Sequence, residues 1–154
     1  MNKLTELHYV VIVLVLFLFI ALISNRAQGA TMTDLLLALE KVESNGNEIA
    51  YNESEKALGC LQIRPIMLAD YNRIYGTSFT HDQMKDRIIS HDIAMGIFHH
   101  YGKYIENGGE TITAKHFSFI WNGGGSAWKR VNNPRDDRKQ KNLEIYWTKV
   151  SKHL

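Results

Sequence analysis

The sequence predicts a small, mainly helical domain with a cleft, preceded by an N-terminal hydrophobic helix. Three observations point there. Apolar residues recur at three- and four-residue spacing through most of the chain after residue 32. Helix-capping residues, Pro65 and glycine pairs punctuate those runs at intervals of ten to twenty residues. Strand-like character is confined to one short stretch, "YNESEKALGCLQI" from Tyr51 to Ile63, which has room for a small hairpin. With 154 residues the chain is long enough to bury a core as one domain.

The first 29 residues are expected to stand apart from the rest. "YVVIVLVLFLFIALI" is an uninterrupted apolar run from Tyr9 to Ile23, preceded by Lys3 and followed by "SNRAQGA". A helix of that length spans about 22 Å, short of a hydrocarbon core of about 30 Å. Ala27 and Gly29 are small residues at the spacing a signal peptidase reads. A cleaved export signal is the first reading and an uncleaved inner-membrane anchor over residues 9–23 the second. Either puts residues 30–154 outside the cytoplasmic membrane, periplasmic or extracellular. A buried core helix fits poorly, because the run has no polar face.

The remainder is close to neutral, and the whole chain carries a formal charge of +2. That balance gives no basis for nucleic-acid binding. Hydrophobic residues at 45% and charged residues at 22% are ordinary globular composition. A single cysteine, Cys60, rules out an intrachain disulfide.

The helices follow in order. Thr33 is placed to cap "DLLLALEKVES", with Asp34 at the positive end of its dipole. Pro65 suits the first position of "IMLADYNRIY", which stops at Gly76. Thr80 and Gln83 form a capping box for "HDQMKDRII", and Ser90 is placed to cap "HDIAMGIFHHYGKYI". Thr113 opens "AKHFSFIW", which runs into Gly123-Gly124-Gly125. A last helix covers "LEIYWTKVSKH", after a solvated, mixed-charge loop "KRVNNPRDDRKQK".

Glu43 stands out on the first of these helices. At 100° per residue, Leu35, Leu39 and Val42 define one face, and Glu43 falls between Leu39 and Leu36. Glu40 sits beyond Leu36 towards solvent, and Lys41 points away. An acid on an apolar face has its charged form disfavoured and its pKa raised, which suits a proton donor. A surface ion pair at a helix end is the plainer alternative. Sixteen residues on, Gly59 permits a close backbone approach, and Gln62 offers a donor and an acceptor suited to an acetamide or hydroxyl. The plainer reading of Gln62 is a solvated loop residue.

Four motifs in this order carry a resemblance: Glu43-Ser44, Gly59-Cys60-Leu61-Gln62-Ile63, Trp121-Asn122-Gly123-Gly124 and a late Tyr146. Together they resemble the lysozyme-like lytic transglycosylases, the superfamily of soluble lytic transglycosylases and goose-type lysozymes, and most of all a small phage-type branch. The resemblance spans about residues 33–151. It implies an α+β lysozyme-like fold, no cofactor, and peptidoglycan glycan strands as the partner. It implies Glu43 as the lone catalytic acid/base, cleaving the β-1,4 bond between N-acetylmuramic acid and N-acetylglucosamine with closure of a 1,6-anhydro ring. Ser44 would orient the acid or substrate, Gln62 and Asn122 would bind N-acetyl or hydroxyl groups, Trp121 would stack on a sugar or pack, and Tyr146 would tune Glu43. Two positions depart from the pattern: Cys60, where Leu or Val is common, and Asn142, where Thr or Glu is usual.

Two other readings stay open. Ordinary glycosidases use two carboxylates. Glu48, Glu53, Glu55 and Asp70 all lie in polar stretches, although a folded loop could bring Glu53 or Asp70 to the cleft. A hydrolysing lysozyme is therefore the runner-up, and an inactive wall-binding module the third reading. His91, His99 and His100 lack a carboxylate at ligand spacing, so no metal site is expected. "GGGSAW" lacks the Lys-Ser/Thr of a phosphate loop.

Overall fold

Helix α1 ends where its chemistry requires a stop. In the computed structural model, which describes residues 30–154, α1 spans Met32–Glu43. Thr33 lies inside its first turn rather than ahead of it. Beyond Glu43 the backbone turns left-handed at Asn45 (φ 56°) and Gly46 (φ 80°). The Gly46 amide returns to the Glu40 carbonyl at 3.1 Å, closing off an end carbonyl. The hydrophobic run Tyr9–Ile23 and the proposed boundary at residue 29 lie outside the described residues.

Leu35, Leu36, Ala38 and Leu39 are buried, as the apolar stripe requires. Glu40 is a correction. The helical wheel puts it towards solvent, yet it is 2% exposed. Arg87 donates to both of its carboxylate oxygens, through Nε at 2.7 Å and through Nη2, and His91 Nε2 lies 2.7 Å from Oε1. A wheel drawn on one helix sees only that helix. A later helix, beginning at Arg87, covers this side and supplies the guanidinium that makes burial of the charge tolerable.

A two-stranded antiparallel hairpin follows: β1 (Tyr51–Asn52) pairs with β2 (Ala57–Leu58). Leu58 also bridges to Ile63, which folds "GCLQI" into a tight return. Gly59 (φ 86°) sits so close to the next segment that a Cβ there would lie 1.9 Å from the Met84 carbonyl oxygen. Helix α2 (Pro65–Tyr75) starts on Pro65 and ends on a left-handed Gly76.

The segment after Thr80 is built differently from the expectation. The Thr80–Gln83 box forms, but it opens a 3₁₀ turn, His81–Lys85, and not a helix through Ile89. The chain extends at Asp86, whose carboxylate accepts from the amides of Ile88 and Ile89 and caps the 21-residue α3 (Arg87–Asn107). Ser90 is therefore no cap. It is buried, and its hydroxyl donates to the Met84 carbonyl at 2.8 Å, an oxygen freed by the end of the 3₁₀ turn.

Thr113 opens α4 (Ala114–Gly123) with His116 as its box partner. After a 3₁₀ turn, Ala127–Arg130, the last helix α5 spans Arg138–Val150 and starts five residues before the expected Leu143. Asp137 is the reason: it accepts from the Gln140 amide at 2.7 Å and from Arg130 Nη1 at 2.8 and 2.9 Å. The last four residues of the supposed loop, 138–141, are thereby helical. A terminal 3₁₀ turn, Ser151–His153, packs on α1 together with α5.

The core gathers α1, the GCLQI return, α3, α4 and the end of α5, with Leu39, Cys60, Leu61, Ile63, Ile93, Phe98 and Val150 inaccessible. Phe98 stacks on Phe117 at 4.7 Å and meets the Trp121 ring edge-on at 5.6 Å.

The Glu40 network is open to test. Burial opposes its charge, but hydrogen bonds from Arg87, the Cys60 thiol and His91 outweigh that and hold the carboxyl down at about 2, against an ordinary 4.5. Glu40→Gln is expected to cost about 2 kcal/mol at pH 7, discounted for the half-exposed Arg87 and read from urea denaturation. A depressed acid stabilises above its unfolded pKa and loses that contribution as pH falls through the folded one. The gap between wild type and variant should therefore close between about pH 4.5 and pH 2.

Candidate active site

The end of α1 opens onto a cleft of about 360 Å³. Glu43 lines it from α1, Gln62 and Arg64 from the GCLQI return, Trp121 and Asn122 from the end of α4, and Glu55 from the hairpin turn. Residues distant in sequence thus converge because α1 and α4 both terminate here, each at a glycine-containing turn.

Glu43 is half-buried. Burial raises its pKa above the ordinary value. A hydrogen bond opposes this: Tyr146, buried on α5, donates its hydroxyl to Glu43 Oε1 at 2.5 Å. The opposing effects do not cancel; desolvation is the larger. The Tyr146 hydroxyl itself is pushed up by burial and by the adjacent Glu43 carboxyl, so it stays a donor.

Ser44 does not line the cleft. Its Oγ donates to the Cys60 carbonyl at 2.8 Å, pinning the end of α1 to the return that carries Gln62. Gln62 holds a left-handed backbone (φ 51°), unusual for a side chain of this kind. Its Nε2 donates to the carbonyls of Ala50 and Gly59, each at 3.0 Å, so the amide also braces the hairpin. Trp121 is 3% exposed, with most of its ring packed inward, whereas Asn122 is exposed at the rim. The structure thus brings Glu43, Gln62, Trp121 and Asn122 to one cleft, places Tyr146 behind the acid, and turns Ser44 onto the backbone.

Sequence reasoning missed Arg64 and misplaced Glu55. Arg64 directly follows the GCLQI motif, and that adjacency was the available signal. Glu55 lies in a polar stretch, as Glu53 does, but only Glu55 reaches the cleft, where it pairs with Arg64 Nη1 at 3.1 Å. Asp70 lines a neighbouring cavity of about 300 Å³ that shares Arg64, Met67 and Asn122 with the first.

Glu40, Cys60 and His91 also place one potential metal ligand each within 4.8 Å of one another. Arg87 engages both Glu40 oxygens, so the donor set is already committed as an ion-pair network.

The tyrosine contact makes a measurable prediction. A hydrogen bond to the ionised carboxylate favours that form, so Tyr146→Phe should raise the Glu43 pKa further. Carbon-13 NMR of the labelled Glu43 carboxyl across pH 3–9 reads this directly. An unchanged titration would show that the contact does not form in solution.

The geometry is that of one desolvated acid in a polar cleft, and comparison with known proteins agrees with it. The model of the transglycosylase SLT domain family matches residues 21–144, a span that holds Glu43, Gln62 and Asn122 and stops two residues short of Tyr146. No curated protein matches the chain. With more than half of its length matched and a helical domain that sets a half-buried Glu43 at its cleft, the chain belongs to the transglycosylase SLT domain family.

Proposed function

We propose that this domain cleaves the β-1,4 bond between N-acetylmuramic acid and N-acetylglucosamine as a lytic transglycosylase, with Glu43 as its single acid/base. Peptidoglycan is the substrate of the family, and it lies outside the cytoplasmic membrane, so the domain acts in the periplasm or beyond the cell. Export through residues 1–29, as a cleaved signal or a retained anchor, fits that place. Among the described residues no helix is long and apolar enough to cross a membrane.

The observation that carries the reading is a half-buried Glu43 that lines a polar cleft with Gln62 and Asn122 and takes a hydrogen bond from Tyr146, where burial pushes its pKa up. In its protonated form the carboxyl delivers its hydrogen to the bridging oxygen as the C1–O bond breaks. The resulting carboxylate then takes the proton from the muramic acid 6-hydroxyl, whose oxygen closes on C1. The N-acetylglucosamine end leaves as an alcohol, no water is consumed, and Glu43 is again protonated. Gln62 and Asn122 are placed to position the sugars through hydrogen bonds, with Trp121 offering a ring edge. Ser44 orients the acid indirectly, through the Cys60 carbonyl.

Glu55 gives the hydrolytic alternative its footing, since it lines the same cleft. Its pairing with Arg64 favours an engaged anion over a free base for water. Muropeptide mass spectrometry separates the two: 1,6-anhydro ends are expected, and reducing ends carrying oxygen from labelled water would establish hydrolysis instead.

Glu43→Gln is expected to lower turbidity-clearing activity on purified wall by at least about 100-fold. Full retained activity would defeat both enzymatic readings and leave the binding module. The same variant should be more stable than wild type at pH 7. An acid whose folded pKa is raised destabilises the fold as pH climbs past its ordinary value, and glutamine escapes that cost. The basic limb of the wild-type rate profile should therefore lie above pH 4.5, falling as Glu43 ionises.

A further inference from the structure

Arg64 is the only basic side chain lining the Glu43 cleft among the described residues, and the only one lining the neighbouring cavity. It stands where the two meet. Its backbone is extended (φ −83°, ψ 149°) at the N-cap of α2, and its side chain makes no capping bond. The guanidinium is therefore free of structural duty to the helix.

Its partner is Glu55, through one contact, Nη1 to Oε2 at 3.1 Å, with the side chains 32% and 54% exposed. A guanidinium has five N–H donors in a fork that matches a carboxylate through two parallel bonds. One partly solvated contact uses little of that capacity and is weakly held. Glu55 rides on the turn between β1 and β2, where its amide and that of Ser54 bond to Asn52 Oδ1 at 3.3 and 3.0 Å. The pair thus consists of an anchored carboxylate and an arginine with donors to spare, at the junction of the two cavities.

We infer that Arg64 is a carboxylate-recognition residue, receiving the acidic group that a muramic acid residue carries, with Glu55 holding the guanidinium until that group displaces it. The inference rests on the peptidoglycan reading above. Its chemistry follows from the polymer: N-acetylglucosamine is neutral, whereas muramic acid bears a lactyl ether ending in a carboxyl. That carboxyl is either free or amide-linked to a peptide that has carboxylates of its own. The result is a preference for murein over uncharged chitin-type strands, set by a residue that does not take part in bond cleavage.

The test uses the Glu43→Gln protein, alone and with Arg64→Gln, Arg64→Lys or Glu55→Gln added. Calorimetry measures binding of a murein tetrasaccharide with free lactyl groups, the same sugar bearing stem peptides, and chitotetraose. Arg64→Gln should weaken the carboxylate-bearing sugars about tenfold and leave chitotetraose within twofold. The sugar that loses more identifies the lactyl or the peptide carboxylate as the group bound. Arg64→Lys should recover part of the loss, and Glu55→Gln should leave carboxylate binding equal or tighter. Equal weakening of all three sugars by Arg64→Gln, or no weakening of any, overturns the inference. So does a loss in Glu55→Gln as large as that in Arg64→Gln. If wild type leaves purified murein uncut and Glu43→Gln binds none of the three, the peptidoglycan reading itself fails.

Discussion

Desolvation of one carboxyl group is the constraint around which this domain is organised. Glu43 can act as a proton donor near neutral pH only if water is kept from it and the charged form is not over-stabilised. Burial against α5 supplies the first condition. The second limits how much help Tyr146 gives: its 2.5 Å hydrogen bond orients the acid yet leaves the pKa raised. More cations at this spot would lower the pKa and remove the proton that the proposed chemistry needs.

The contrast with Glu40 makes the point within one turn of helix. Both acids lie on α1, three residues apart. Glu40 is almost fully buried, yet it is held ionised by Arg87, His91 and the Cys60 thiol. Glu43 is less buried, yet it is pushed towards neutrality. Burial disfavours the charge at both positions; at Glu40 the partners outweigh it, and at Glu43 they do not. Glu40 is a structural anion that ties α1 to α3, and Glu43 is the acid that faces the cleft. The anchoring of the first steadies the second, since the carbonyl of Glu40 also terminates the helix through the Ser44 and Gly46 amides.

The loop bearing Gln62 is shaped by backbone economy. Gly59 passes where no side chain fits, beneath the Met84 carbonyl. Ser44 and the Gln62 amide then satisfy three carbonyls of the hairpin region, those of Cys60, Ala50 and Gly59. Together they brace the left-handed Gln62 in the cleft that Glu43 also lines. The third glycine of the Gly123–Gly125 run serves packing as well: a Cβ on Gly125 would lie 2.1 Å from the Tyr101 ring.

Periodicity and capping chemistry made the helices legible from the residues alone. They placed α1, α2 and α4 closely because each has a local stop or start in Gly46, Pro65, Gly76 or Thr113. The apolar flank of Glu43 was legible for the same reason, since a helix fixes the direction of its side chains relative to one another. What no local pattern could encode was which neighbour covers each face. Glu40 appeared solvated because Arg87 and His91 are far along the chain. Glu55 looked like its neighbour Glu53 until the hairpin turned one of them inward, and Ser90 looked like a cap until Asp86 took that role. Contacts between distant segments decide the partners of every polar group, and those partners, more than position on a helix, set whether an acid is ionised, spent or available.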